Sequence, residues 1–548
     1  MNKNFLLSAL LMLVMCLSAM GQKVERASYD IVPLPDKVFM TRRLPFMLNQ
    51  ETKIAYNGNE DMKRNAEFLS QYINDLTGMN LQVVEAQKKQ RNAIMLKLNK
   101  DVEEKEGYAI TIHDGGVLIE GSTAAGVFYG IQTLRKSLPI VKDAKVIELP
   151  AVQIADAPRF SYRGMMLDVS RHFFSVDFVK QYIDLIALHN MNVLHWHLTD
   201  DQGWRVEIKK YPRLAEISSQ RNETVVGRNS QVFDGTPYGG YYTQEEMRDI
   251  VEYARQRYIE IIPEIDMPGH MLAVLAAYPN LGCTGGPYKV GTYWGVFDDI
   301  LCAGKEETFT FVEDVLDEIM DIFPSKYIHI GGDESPRTRW ESCELCQKRI
   351  KEEGIKGDAN MTAEAKLQGY FAKRVEKYLN GKGRKIIGWD ELLESDVDES
   401  ATIMSWRGMK GGLKASSLGH DVVMTPTDYA YFDHYQVMND NTWHEPMNIG
   451  GELPMEKVYQ FEPAPDTLSP EAKKHILGAQ ANLWTEYVGC ENLAEYQVLP
   501  RMGALAEAQW MQPEKKNYDE FKERVARLCK IYDVYGLTYG KHIFNKEK

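Results

Sequence analysis

Basic residues are in short supply in this 548-residue chain: 64 Lys and Arg face 78 Asp and Glu, a net charge of −14. That balance excludes nucleic-acid binding of the usual kind, in which clustered Lys and Arg displace phosphate counterions. Long apolar runs are missing beyond the N-terminus, so no membrane-spanning helix is expected and the mature protein should be soluble. Cysteine is sparse, with seven residues. Cys343-Glu-Leu-Cys346 is a lone C-x-x-C with no second such pair and no His pair at zinc spacing, so neither a structural zinc nor any other metal is expected. There are no repeats, no low-complexity tracts and no Gly-rich nucleotide turn after the first strand of the long C-terminal region.

What the chain does have begins with a leader. MNKNFLLSALLMLVMCLSAMGQ carries a Lys, an apolar run from Phe5 to Leu17, and Ala19 and Gly21 at signal-peptidase spacing. An export signal over residues 1–21, cleaved after Gly21, is expected, with a periplasmic or extracellular destination. Cys16 as a lipid anchor is disfavoured, because Leu13-Val14-Met15 lacks the small residue such sites place just ahead of the cysteine. Without Cys16, six cysteines remain. Disulfides are permitted, and Cys283 with Cys302, flanking a Gly-rich loop, is the expected pair. Cys343 and Cys346 are read as a local bridge or two free thiols.

At 44% hydrophobic residues the chain can bury large cores, and its length calls for two or three domains. Residues 22–155 read as a small non-catalytic α+β domain. A helix runs from about Asp61 to Leu76, a hairpin turns at Asp114-Gly115-Gly116, and a second helix covers about Thr123 to Ser137. From 156 to 512 short apolar strands alternate with helices. The candidate strands are Gly164–Asp168, Val193–Leu198, Ile259–Glu264, Tyr327–Gly331, Lys385–Trp389, Thr402–Trp406, Asp421–Thr425 and Ile476–Leu483. Eight strands point to an α/β fold, a (β/α)₈ TIM barrel, with an open doubly wound sheet as the alternative. Residues 513–548 should form a C-terminal helical segment packed on the barrel.

The chemistry gathers at the C-terminal ends of these strands, which converge on one pocket in a barrel. The fourth ends His329-Ile-Gly-Gly-Asp333-Glu334, two carboxylates after a glycine turn. Adjacent carboxylates repel when both are ionised, so one pKa should rise, as a general acid requires. Other ends carry Asp168 and Arg171-His172, Asp200-Asp201, Asp266 and His270, Trp389-Asp390-Glu391, Trp406-Arg407, Tyr431 and Asp433, and Trp484 and Glu486. Carboxylates and Arg grip vicinal hydroxyls, and aromatic rings enclose a pyranose, so the rim reads as a pocket for one sugar. His195, His197 and His329 lie within strands and read as satisfied core histidines. Asp200-Asp201 has no metal-ligand spacing around it.

Seven ordered motifs, SRHFF, NVLHWHLTDDQGW, PEIDMPGH, HIGGDE, GWDE, SWRG and NLWTE, make residues from Pro158 to about Gln512 resemble glycoside hydrolase family 20, the β-N-acetylhexosaminidases. The preceding region resembles, more weakly, the α+β domain common before that barrel. The resemblance implies that Glu334 is the general acid/base, that Asp333 orients the 2-acetamido group and stabilises the charge growing on its nitrogen, and that Tyr431 hydrogen-bonds the acetamido oxygen. It further implies that Trp389, Trp406 and Trp484 wall the pocket, that Arg171, Asp433 and Glu486 bind hydroxyls, and that Asp200 and His270 form a dyad tuning the acid. The expected activity is exo-acting, retaining release of terminal β-linked N-acetylglucosamine or N-acetylgalactosamine from glycans, assisted by the substrate's own acetamido group through an oxazolinium intermediate, with no cofactor. The rival readings are a family-20 enzyme releasing a disaccharide or sulfated sugar, a glycan-binding barrel without catalysis, and a retaining glycosidase with its own carboxylate nucleophile. Epimer preference and oligomeric state stay open at this level.

Overall fold

The computed structural model describes residues 24–86, 90–228, 230–394, 397–438 and 444–544. The expected leader at 1–21, Cys16 within it, and the last four residues of the C-terminal segment lie outside the described residues. The chain divides into two compact units, one ending at Ala157 and one starting at Pro158 and including Val32–Leu34. Among the described residues no helix is long and apolar enough to cross a membrane.

The first unit is built on a mixed seven-stranded sheet in the order Lys37–Met40, Val152–Asp156, Tyr108–His113, Gly116–Gly121, Ala93–Leu98, Lys53–Asn57, Gln82–Glu85. Its hairpin pairs His113 with Gly116, so the turn is the two residues Asp114-Gly115. Two helices cover the sheet. Glu60–Thr77 buries Met62, Ala66, Leu69, Ile73 and Leu76 along one stripe and is capped by Asn59, whose side chain accepts from the Met62 N–H. Ala124–Ser137 starts one residue later than the sequence suggests, because Thr123 is the cap and accepts from the Gly126 N–H. Such caps satisfy amide donors that the first turn leaves orphaned.

The second unit is a closed parallel barrel. Its strands are β1 (Tyr162–Asp168), β2 (Val193–His197), β3 (Glu260–Glu264), β4 (Tyr327–His329), β5 (Lys385–Trp389), β6 (Thr402–Ser405), β7 (Val422–Met424) and β8 (Ile476–Leu483). Closure is explicit: β1 pairs with β2 on one side and with β8, from Tyr162 to Leu483, on the other. That pairing rules out the open sheet. The strands are buried on both faces, which is why they read as continuous apolar runs rather than alternating ones. Tyr162, Val193, Ile262, Ile387, Trp389, Met404 and Val423 fill the interior, each large side chain removed from water contributing about 1.5–3 kcal/mol.

Helices return the chain between strands and start on side-chain caps where the sequence offers them. Ser175 caps Val176–Leu188, and Thr243 with Glu246 closes a capping box on Gln244–Arg255. The C-terminal helix is Tyr518–Val534. It is pinned within this unit by Arg524, whose guanidinium lies 2.8 Å from Glu507, and by Tyr532, 2.7 Å from His189. The cysteines depart from expectation. Cys283 and Cys302 are not an isolated pair, because the fold draws Cys343 and Cys346 into the same cluster, and none of the four is joined in a disulfide.

Candidate active site

The site lies at the C-terminal ends of the barrel strands, and local chemistry sets each side chain. After β1, Asp168 Oδ1 accepts the backbone N–H groups of Ser170 and Arg171 at 2.8 and 3.2 Å, folding the turn that aims Arg171 inward. Its other oxygen accepts from the Thr485 N–H at 3.1 Å, joining the ends of β1 and β8. Arg171 then reaches Asp168 (3.2 Å), Asp200 (2.8 Å) and Glu486 (3.7 Å) and lies 5.1 Å from the Trp484 ring centre.

After β4 the chain turns through Gly331 and Gly332, both at positive φ, into Asp333 and Glu334. A Cβ on Gly331 would fall 1.7 Å from Asp266 Oδ1, so only glycine fits. Glu334 itself sits in the left-handed region at φ 41°, as does His270 at φ 53°. Such conformations cost non-glycine residues about 1 kcal/mol or more and concentrate at functional sites.

A pocket of about 260 Å³ opens here, lined by Arg171, Asp333, Glu334, Trp389, Trp406, Tyr431, Asp433, Trp484 and Glu486, joined by Thr427, His434 and Ile449. The fold thus brings together nine of the eleven residues singled out from sequence. The other two, Asp200 and His270, stand directly behind. Trp406 stacks on Tyr431 at 6.2 Å between ring centres and 22° between planes, and Trp389 lies 5.8 Å from Trp484. Asp333 Oδ1 and Asp433 Oδ1 are buried without a hydrogen-bond partner among the described residues. Buried polar atoms are ordinarily satisfied, so two such oxygens in one pocket mark acceptors kept for a ligand.

The electrostatics depart from the sequence expectation. Adjacent carboxylates do differ, but the raised one is Asp333: burial is the main cause, and Glu264 and Glu334 add to it. Glu334 is held below the usual range, chiefly by the neighbouring His270. His270 is the reason for the reversal. Burial opposes its charge, but Asp200 and the hydrogen bonds to Asp200 and Asp201 outweigh that and keep its pKa well above normal. Asp200 is correspondingly held well down, its burial overcome by Arg171 and His270. Because these cations already neutralise Asp200 and Asp201, the pair is supplied with counter-charge from the protein and does not call for a metal.

The structure also separates roles that spacing left ambiguous. Glu391 accepts from Trp406 Nε1 at 2.9 Å and fixes that wall, while burial and Asp333 push its pKa to about 8. Asp390 pairs with Arg407 at 3.1 Å, and Asp266 accepts the Gly332 N–H under the acid loop. Sequence reasoning missed Glu264 as a hub. Its carboxylate meets His195 at 3.0 Å, His329 at 2.9 Å, His197 and the Trp389 indole at 3.0 Å. The three strand histidines are therefore core residues gathered on Glu264, but they are not fully satisfied. Nε2 of His195 and of His329 is buried without a hydrogen-bond partner among the described residues, and both rings pack against Trp389. The carboxylate in the PEIDMPGH motif at a strand end was the available signal. Thr427, His434 and Ile449 come from the loops around β7 and carry no motif.

Comparison with known proteins agrees with this geometry. Residues 160–513 match the glycosyl hydrolase family 20 catalytic domain, and residues 28–157 match domain 2 of that family. A β-hexosaminidase of Porphyromonas gingivalis is 43% identical over 540 residues, covering 96% of this chain and 67% of the relative. The exo β-N-acetylglucosaminidase of Vibrio harveyi, solved with N-acetylglucosamine, superposes with a TM-score of 0.82 at 30% identity, covering 95% of this chain and 79% of that one. The β-N-acetylhexosaminidase of Streptomyces coelicolor A3(2) gives 0.81 at 31% identity, covering 95% and 99%. With a closed barrel, a carboxylate-and-tryptophan rim and both family domains matched in order, the chain belongs to glycosyl hydrolase family 20 and is a glycoside hydrolase of the β-hexosaminidase type.

Proposed function

We propose that the chain is an exo-acting, retaining β-N-acetylhexosaminidase that uses the substrate's acetamido group as nucleophile. The observation that carries this reading is the buried, unpartnered Asp333 oxygen beside Glu334, facing Trp406 and Tyr431 in a pocket sized for one ring. In the first step Glu334 donates its proton to the glycosidic oxygen as the C1–O bond breaks. The acetamido oxygen, aligned by a hydrogen bond from Tyr431, closes on C1 to form an oxazolinium ion. In the second step water gives a proton to Glu334 and opens the ring from the face the leaving group left, which retains the β configuration.

Asp333 suits the charge that appears on the acetamido nitrogen between these steps. A carboxylate pushed upward by burial and by neighbouring carboxylates interacts most strongly with a positive charge that exists only along the reaction path. Glu334 is held low by His270, yet its side chain is 43% exposed. A sugar covering it removes that water and raises its pKa toward what an acid needs. Arg171, Asp433 and Glu486 would take the outer hydroxyls, which favours a single terminal residue and hence exo action.

Hydrolysis of a panel of chromogenic β-glycosides with and without the 2-acetamido group tests the reading. Strong preference for N-acetylhexosaminides is expected, and comparable rates on plain glucosides would overturn it. We also propose export through the leader at residues 1–21, tested by N-terminal sequencing of the mature protein recovered outside the cytoplasm.

A further inference from the structure

Away from the pocket, the fold converges on a second chemical cluster. The Sγ atoms of Cys283, Cys302, Cys343 and Cys346 all lie within 4.8 Å of one another. The recorded separations are 3.8 Å for Cys283 to Cys346, 3.7 Å for Cys302 to Cys343 and 3.5 Å for Cys302 to Cys346. Two disulfides would give each sulfur a single partner at about 2.05 Å and no reason for even spacing among the rest. Four thiolates around one zinc, at about 2.3 Å from the metal, stand about 3.8 Å apart in a tetrahedron.

The backbone around the sulfurs is built for this. Cys343 and Cys346 form a C-x-x-C at the N-terminus of the helix Glu344–Glu352, where the helix dipole favours thiolate. Leu301 pairs with Gly282, and the Cys302 N–H donates to Leu281 O at 2.9 Å, fixing the other two cysteines side by side. A Cβ on Gly304 would lie 2.2 Å from the Leu345 carbonyl carbon and 2.5 Å from the Cys346 nitrogen. Only glycine lets the turn after Cys302 approach the C-x-x-C backbone so closely.

We infer that Cys283, Cys302, Cys343 and Cys346 form a tetrathiolate zinc site that ties the loop after β3 to the segment following Glu334. The first two cysteines bound a loop whose Gly291 N–H donates to Asp201 O at 2.8 Å, and the last two follow the acid by a short helical stretch, Thr338–Ser342. A knot of this kind sets the height of the acid loop without touching the substrate. It goes beyond the proposed hydrolysis and does not depend on it. Sequence spacing concealed the site, because its second pair of ligands is two single cysteines on a loop rather than a second C-x-x-C.

The test is zinc content by elemental mass spectrometry of the full chain, purified untagged and without chelator, together with its intact mass under denaturing, non-reducing conditions. One zinc per chain and the mass of the fully reduced polypeptide are expected. A mass lowered by two or four hydrogens with no metal would overturn the site in favour of disulfides, and four free thiols without metal would overturn it as well. Cys302→Ser should lose zinc at least about five-fold, whereas Cys490→Ser should keep it. Should Cys302→Ser fail to fold, growth in cobalt gives a second readout: the intense visible bands of tetrahedral cobalt thiolate are expected, and a colourless or weakly absorbing octahedral product would overturn the assignment.

Discussion

His270 stands between Asp200 and Glu334: its Nδ1 lies 3.1 Å from Asp200, and its Nε2 lies 3.6 Å from Asp333 and 3.7 Å from Glu334. Asp200 in turn is 2.8 Å from Arg171. A continuous line of alternating charge therefore runs from the Arg171 guanidinium to the Glu334 carboxylate.

Removing the middle of that line should be visible in pH profiles. His270→Asn takes away the cation that holds Glu334 down, so the alkaline limb of kcat/KM should move to higher pH while overall activity falls. The variant should also change stability. The folded protein holds the His270 proton above its unfolded value of about 6.5. That contribution is complete below pH 6.5 and disappears as pH rises through the folded pKa. Wild type should therefore lose stability on the alkaline side more steeply than His270→Asn, as followed by thermal melts at stepped pH. An unmoved limb and parallel melting curves would remove His270 from this role.

Glu334→Gln keeps the shape of the side chain but has no proton to give. Turnover on natural glycans should drop by roughly 100-fold or more, with binding of N-acetylglucosamine by calorimetry nearly unchanged. Near-normal turnover in the folded variant would exclude it as the acid.

Asp333→Asn and Tyr431→Phe should lower kcat more than they raise KM, because in the proposed mechanism both residues act on the acetamido group as it becomes a nucleophile. The tether that makes it one is worth several kcal/mol, so a thiazoline mimic of the cyclic intermediate should inhibit strongly. Trapping a covalent 2-fluoro sugar on a protein carboxylate would refute assistance by the substrate.

Glu391→Ala frees the Trp406 indole that Glu391 now holds at 2.9 Å. A several-fold rise in KM with a smaller change in kcat is expected in steady-state kinetics, since a loosened wall weakens ground and transition states alike. Gly331→Ala, by contrast, is a folding lesion. Its methyl group would fall on Asp266, and a loss of about 2–4 kcal/mol in denaturant melts is expected.

Much of the barrel was legible because its strands are buried on both faces and its helices begin at Ser175, Thr243 and Thr362, residues that cap by their own chemistry. Strand limits moved by a residue or two where apolar runs outlast the hydrogen-bonded ladder, as at Ile330 after β4. The pocket was legible where side chains sit in motifs at strand ends. Glu264 was not, because its importance lies in three histidines from β2 and β4, the strands that flank it, which meet its carboxylate only once the sheet has formed. The proton balance between Asp333 and Glu334 was misjudged for the same reason, since His270 comes from a different strand end. The four clustered cysteines were missed because convergence in space leaves no trace in spacing.

The closure of β1 onto β8 also bears on when the protein can first work. The His172 N–H, just past Arg171, is held by Thr485, 313 residues further along the chain, at 3.1 Å. Arg171 leaves the ribosome early, whereas Trp484 and Glu486, which complete its side of the pocket, are among the last barrel residues synthesised. A nascent chain therefore carries Arg171 through most of barrel synthesis before Trp484 and Glu486, its neighbours in the pocket lining, have been made. A chain ending ahead of β8 would lack both the strand that closes the barrel and the pocket residues that follow it, so such a truncation removes part of the pocket itself.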